Sequence, residues 1–213
     1  MKLADIYNHL RERHGARSDP ATWWPIFYGD STPPEFERVI TNLLVQSSNW
    51  KNVPSAVDKL HARNLLTASG MATAEAEEIA ECIKTTGLQS QKARRLKNLC
   101  AVIVKMFGSE AAFAREITRS ELLQMVGIGE ETADRILLYA CGLLAWPVDS
   151  YCLRVFSHYG ILDAFPTTTR ERRACAKSAK LMVAEQMPEN LEDWQRLYAL
   201  MQLEGQRPGM QLE

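Results

Sequence analysis

The sequence predicts an all-α fold of roughly ten short helices. Apolar residues recur at helical spacing in most of the chain. No stretch alternates apolar and polar residues as a half-buried strand would. Proline and glycine sit at the ends of the apolar stripes, where helices start and stop.

In chain order, the first clear stripe is Phe36, Val39, Ile40, Leu43 and Leu44, which follows Thr32-Pro33-Pro34, a suitable helix start. Ala93, Leu96, Cys100, Ile103 and Phe107 form a second, ended by Gly108. Ser120 to Val126 reads as a short helix stopped by Gly127. Ala133, Ile136, Leu137, Ala140 and Leu144 make the next. Asp149 can cap a helix that carries Cys152, Val155, Phe156 and Tyr159 and closes at Gly160. Thr167 to Leu203 reads as two helices broken near Pro188.

The chain has 213 residues, 46% hydrophobic and 24% charged, as in ordinary globular proteins. No apolar run approaches the roughly 18 residues of a membrane span. The first residues, MKLADIYNHLRERHG, lack the apolar core of a signal peptide, so a cytosolic chain is expected. A net charge of −1 and a pI near 6.5 exclude a wholesale basic protein, so any polyanion must meet a local basic patch. Lys84 to Lys105 supplies one, with Lys84, Lys92, Arg94, Arg95, Lys97 and Lys105 and no acidic residue. That segment reads equally as a solvated helix face. The cysteines (Cys82, Cys100, Cys141, Cys152 and Cys175) are odd in number, widely spaced and free of any CxxC. They are expected to be free thiols, with no metal site.

The most specific local signal is Leu122-Leu123-Gln124-Met125-Val126-Gly127-Ile128-Gly129-Glu130-Glu131-Thr132-Ala133. Two short helices flank a G-x-G turn. Glycines allow positive φ and close approach of a ligand. The free N–H groups opening the second helix suit a DNA phosphate, without sequence readout. About twenty residues later comes Trp146-Pro147-Val148-Asp149-Ser150-Tyr151. Alone, Asp149 is a plain helix cap; after such a hairpin, its carboxylate becomes a catalytic candidate. Trp23-Trp24-Pro25 and Trp50 hold three of the five tryptophans. Large aromatics usually fill cores, but adjacent tryptophans cannot both face inward on a helix. One of them is left to line a cavity, where it could stack on a base or a cation.

These residues resemble the helix-hairpin-helix DNA glycosylases of the endonuclease III superfamily, from about Trp23 to Tyr159. Three blocks carry the resemblance: Leu44-Val45-Gln46-Ser47-Ser48, Ile83 to Ala93 around Gly87-Leu88, and the hairpin with Val148-Asp149. The resemblance implies that Gln46 fills the gap left by a flipped base and that Leu88 wedges into the duplex. It implies that Gly127, Ile128, Gly129 and Thr132 grip the backbone, with Lys84 and Lys92 adding phosphate contacts. Asp149 would be the catalytic carboxylate.

Two departures from endonuclease III matter. Its nucleophilic lysine is replaced here by Glu131, which cannot form a Schiff base. Its C-terminal cysteine ligand run is missing, so no iron–sulfur cluster and no other cofactor is expected. Arg207 and nearby polar residues are candidates to hold the tail instead.

Both departures are similar to those of the bacterial endonuclease III-like 3-methyladenine DNA glycosylases. That branch also carries Trp-Trp-Pro and an aromatic four residues after the glutamine, which implies a base pocket of Trp23, Trp24, Pro25 and Trp50. The expectation is a monomeric, monofunctional glycosylase that removes alkylated purines from damaged double-stranded DNA in a bacterial cytoplasm. It would have two helical lobes, one over 30–138 and one pairing 1–29 with 139–213, with DNA across the cleft. A mismatch or oxidised-base glycosylase, and a non-catalytic DNA-binding module, are the alternatives.

Overall fold

A computed structural model describes residues 2–210. Among them are thirteen α-helices, three short 3-10 turns, one π turn and no strand. The all-α expectation holds. The chain forms two compact units, one of residues 26–141 and one joining 1–25 to 142–213.

The continuous unit is built around α3 (Pro34–Leu44), where Phe36, Val39, Ile40, Leu43 and Leu44 are buried as their spacing predicts. Between it and the basic segment lie α4 (Val53–Ala62), α5 (Ala68–Thr73) and α6 (Ala76–Cys82). α7 (Gln89–Val102) packs on α5 and α6 through Ala93, Leu96 and Cys100. A π turn, Ile103–Phe107, extends it to Gly108, whose φ of 74° lets the chain reverse. α8 (Glu110–Glu116) follows, then α9 (Arg119–Gln124), which starts on a Thr118/Glu121 capping box.

α10 (Glu130–Tyr139) completes this unit and is buried along most of its length. Polar ties lock it to α3. Arg135 Nε donates to Asn42 Oδ1 at 2.6 Å, and Arg38 Nη1 donates to the Tyr139 carbonyl at 3.1 Å. A hairpin joined to α10 is therefore mounted on the best-buried helix of the unit.

The discontinuous unit contains α1 (Leu3–His14), α2 (Pro20–Trp23), α11 (Ser150–His158), α12 (Thr169–Gln186) and α13 (Leu191–Gly205). α13 is its centre, packed against α11 and α1. Glu204 near its end is fully buried. Its carboxylate receives Arg13 Nη1 and His14 Nε2 at 2.8 Å, Tyr159 Oη at 3.1 Å and Arg207 Nη1 at 2.6 Å. A buried carboxylate is tolerated only with such donors. Arg207 thus ties the end of the described chain to α13, and the same knot joins α1 and α11.

Candidate nucleic-acid interface and candidate active site

In the continuous unit, Met125 to Gly129 makes the turn between α9 and α10. Gly127 has φ +86°, and a Cβ there would collide with the Arg95 side chain. Ile128 is buried and anchors the turn from below, while its N–H donates to the Met125 carbonyl at 3.1 Å. Space around Gly129 is open, with no atom within 4 Å of a Cβ built there. No side chain caps the start of α10. The N-terminal end of α10 thus opens onto free space at Gly129, and the dipole of such a helix end favours an anion.

Gln46 lies beside the turn. Its Nε2 donates to the Gly127 carbonyl at 3.1 Å and to Thr132 Oγ1 at 3.0 Å. Its Oε1 accepts from Arg95 Nη1 at 3.2 Å. The sequence blocks at Gln46 and at the hairpin, some eighty residues apart, are thus brought into direct contact. Arg95 serves both, and the sequence marked it only as one more basic residue. The residues Val45, Gln46, Ser47, Leu88, Lys92, Arg95 and the hairpin line a polar hollow of about 320 Å³.

Leu88 stands 53% exposed at the start of α7 with φ +50°. A leucine in the left-handed region, apolar and facing solvent, has given up both its preferred backbone and its burial. Ser47, next to Gln46, also has φ +50°.

The basic segment is not one face. Lys84 is exposed, with Glu81 Oε2 3.6 Å from its Nζ. Arg94 and Lys105 are exposed. Lys97 Nζ donates to the Ala74 carbonyl at 2.6 Å. Lys92 is 1% exposed, and its ammonium donates to the Leu44 and Thr86 carbonyls at 2.7 Å each. Burial, helped by the neighbouring Arg95 charge, pushes its pKa down to about 8. Its ammonium is committed to these two carbonyls.

Glu131, at the position of the missing lysine, accepts from Arg135 Nη1 at 2.9 Å. Trp50 is half-buried and opens a 3-10 turn capped by Asn49.

In the other unit, Asp149 caps α11. Its Oδ1 accepts from the Cys152 N–H at 2.9 Å. Its Oδ2 accepts from Gln202 Nε2 at 2.7 Å and from Tyr198 Oη at 3.1 Å. Tyr198 and Gln202 are one turn apart on α13, both buried. They hold the candidate carboxylate, and nothing in the sequence pointed to them. Asp149 as a whole is half-buried. Trp146 packs edge-on against Tyr198, with ring centroids 5.9 Å apart, and so holds that hydroxyl in place.

The two adjacent tryptophans differ. Trp24 is 4% exposed, whereas Trp23 and Pro25 are half-buried. The Trp23 indole N–H is buried with no hydrogen-bond partner among the described residues.

The cysteines do not fit an iron–sulfur cluster. All five are free, Cys82, Cys100 and Cys152 are buried, and no three potential ligands are grouped among the described residues. Burial pushes the Cys141 thiol up to about 12. No helix of the described residues is long and apolar enough to cross a membrane.

Residues 40–180 match the family described as HhH-GPD superfamily base excision DNA repair protein. The chain belongs to the HhH-GPD superfamily. A putative DNA repair glycosylase of Methanocaldococcus jannaschii is 31% identical over 200 residues, which is 92% of this chain and 83% of that one. The crystal structure of the H. pylori 3-methyladenine DNA glycosylase bound to 1,N6-ethenoadenine superposes with a TM-score of 0.75 at 27% identity. The match covers 94% of this chain and 95% of that one. A non-covalent endonuclease III–DNA complex gives a TM-score of 0.67 at 21% identity over 94% and 84% of the two chains, a likeness of fold. This HhH-GPD protein is thus a DNA glycosylase with an endonuclease III-like fold.

Proposed function

We propose that the protein is a monofunctional glycosylase that removes alkylated purines of the 3-methyladenine type from duplex DNA, with Asp149 as its catalytic carboxylate. The observation that carries the reading is the environment of Asp149. A carboxylate offers about four acceptor sites. Three are filled, by Cys152 N–H on Oδ1 and by Tyr198 and Gln202 on Oδ2. The group is held rigidly, and one acceptor site on Oδ1 remains for a water.

The chemistry follows from this geometry. The target base must leave the stack at a cost of a few kcal/mol, with Gln46 and Leu88 filling the gap and the hairpin amides holding phosphate. An alkylated purine carries positive charge, which an electron-rich tryptophan face favours by roughly 0.5–2 kcal/mol per contact; Trp50 and Trp23, each half-buried, are the candidates, whereas Trp24 is buried. The glycosidic bond breaks with its electron pair leaving on the base. The Asp149 carboxylate stabilises the sugar cation left behind. Oδ1 then accepts a proton from the water that adds to the anomeric carbon.

Support for a hydrolytic route is Glu131, an ion-paired carboxylate where a lyase would need an amine. Support for alkylpurines is the likeness to the H. pylori 3-methyladenine enzyme over nearly both chains. The test is a substrate panel. Duplexes carrying alkylated purines, mismatched thymine or uracil, mismatched adenine and oxidised guanine are incubated in parallel. Turnover confined to the alkylated duplex supports the reading. Turnover confined to any other duplex replaces the substrate class and leaves the carboxylate's role standing.

A further inference from the structure

We infer that Lys92 is a positioning residue, whose buried ammonium clamps the two loops that carry Gln46 and Leu88 into the one arrangement able to fill the gap in DNA. The inference rests on the reading that these two side chains enter the duplex. Its basis is geometric. Lys92 Nζ donates to the Leu44 carbonyl and to the Thr86 carbonyl, each at 2.7 Å. Leu44 ends α3, two residues before Gln46. Thr86 lies two residues before Leu88. One atom thus joins the roots of both loops, which are some forty residues apart in sequence.

Each loop carries a strained residue beyond its root. Ser47, Asn64 and Leu88 are the non-glycine residues with positive φ among those described, and two of the three belong to these loops. Strained conformations persist only where the surroundings over-determine them. The carbonyl at a helix C-terminus lacks a partner within the helix and carries partial negative charge, so an ammonium is well matched to it. An apolar residue would fill the same volume in the stripe that holds Leu96, but it would free both carbonyls and leave the loops unjoined. Exposed at the surface, Lys92 would touch phosphate; buried at 1%, it serves the loops instead.

The test uses the full chain and two duplexes, one intact and one carrying a stable abasic-site analogue, so that no assumption about the excised base enters. The readout is the ratio of affinities for the two. Wild type should prefer the analogue. Lys92→Met should lower that preference about ten-fold or more, as small misplacements of positioned groups do, a ratio that a uniform loss of duplex affinity would leave unmoved. Leu88→Ala should lower it similarly. The deciding variant is the double substitution. If Lys92 acts through the loops, the double variant loses little beyond either single one, because contacting or coupled residues are non-additive. Losses that multiply in full would make Lys92 an independent support of the fold and overturn the inference. Lys92→Gln, which keeps one donor, should give an intermediate loss. If Lys92→Met and Lys92→Gln both fail to fold, the residue is a core strut and the inference falls. A wild type with no preference for the analogue would overturn the gap-filling reading together with it. A normal preference without base release from alkylated DNA would overturn only the substrate class.

Discussion

Replacing Asp149 by asparagine separates chemistry from structure at this site. The carboxylate accepts three hydrogen bonds, one on Oδ1 and two on Oδ2. The new amide has one acceptor oxygen and one donor nitrogen. With the oxygen towards Cys152 N–H, the cap of α11 survives, since asparagine caps helices as well as aspartate does. The nitrogen then faces Tyr198 and Gln202. Both can adapt, the hydroxyl by rotation and the Gln202 amide by turning its oxygen inward. What is lost is the charge assistance of these bonds, about 1 kcal/mol in stability. For a chain of this size that is a fall in Tm of roughly 2–4 °C. Base release, by contrast, loses both the charge facing the sugar cation and the base for water. A positioned general base contributes about 100- to 10,000-fold, so single-turnover release from methylated duplex should slow by at least that range. Affinity for undamaged duplex should stay within about two-fold. Asp149→Ala is the structural contrast. It loses the cap, worth about 1 kcal/mol, and takes the Asp149 acceptor from two buried donors, at about 1–3 kcal/mol each. Its Tm should fall by roughly 10 °C or more. Undiminished base release by Asp149→Asn would refute the catalytic assignment.

Other consequences can be measured separately. Leu88→Gly removes the apolar wedge but also relieves a left-handed leucine at 53% exposure. Its Tm should stay within about 1 kcal/mol equivalent of wild type, while base release falls; a parallel loss of both would mean a packing role. Gly127→Ala forces a Cβ into Arg95 at φ +86°, which should cost about 1–3 kcal/mol and weaken binding to all duplexes alike, as read by titration. Borohydride treatment of the enzyme with abasic DNA should trap no covalent complex, because Glu131 is ion-paired and cannot form a Schiff base; a trapped band would show a lyase. Lys92 titrates near pH 8 when folded and near 10.4 when unfolded. Between those values the unfolded chain binds more protons, so this group's contribution to stability rises with pH. Wild type should gain stability relative to Lys92→Met across that window, measured by denaturant unfolding.

The legible parts of the fold were the long stripes. α3 buries every residue whose spacing foretold it, and α7, α10 and α11 bury most of theirs. Leu144, expected on the α10 stripe, lies beyond that helix and is 40% exposed, while Phe107 and Tyr159 at the ends of their stripes are half-buried. The thirteen helices exceed the roughly ten expected from periodicity. α2, α5, α6, α8 and α9 are only four to seven residues long, too short to show two turns of an apolar stripe. The helix expected at Ser120 to Val126 runs Arg119–Gln124 instead. Met125 and Val126 belong to the turn, and Val126 is 76% exposed, which apolar character alone could not reveal.

At the site, local motifs were readable and long-range partners were not. Gly127 and the capping role of Asp149 follow from residue type and position. Tyr198 and Gln202 reach Asp149 from about fifty residues away and carry no local mark. Lys92 is the instructive case. Counted with its basic neighbours, it looked like a phosphate contact. Placed on the helix, it lies one turn before Leu96 on the buried face, and that spacing was the signal for its burial.

The account stands most directly on the identity of the freed base. Wild-type protein is incubated with methylated duplex DNA in the presence of a chelator, and the soluble products are identified by mass spectrometry. The account predicts 3-methyladenine, released without metal and leaving an unbroken strand with an abasic site. Release of no methylated base, with turnover of mismatched or oxidised duplex instead, would contradict it.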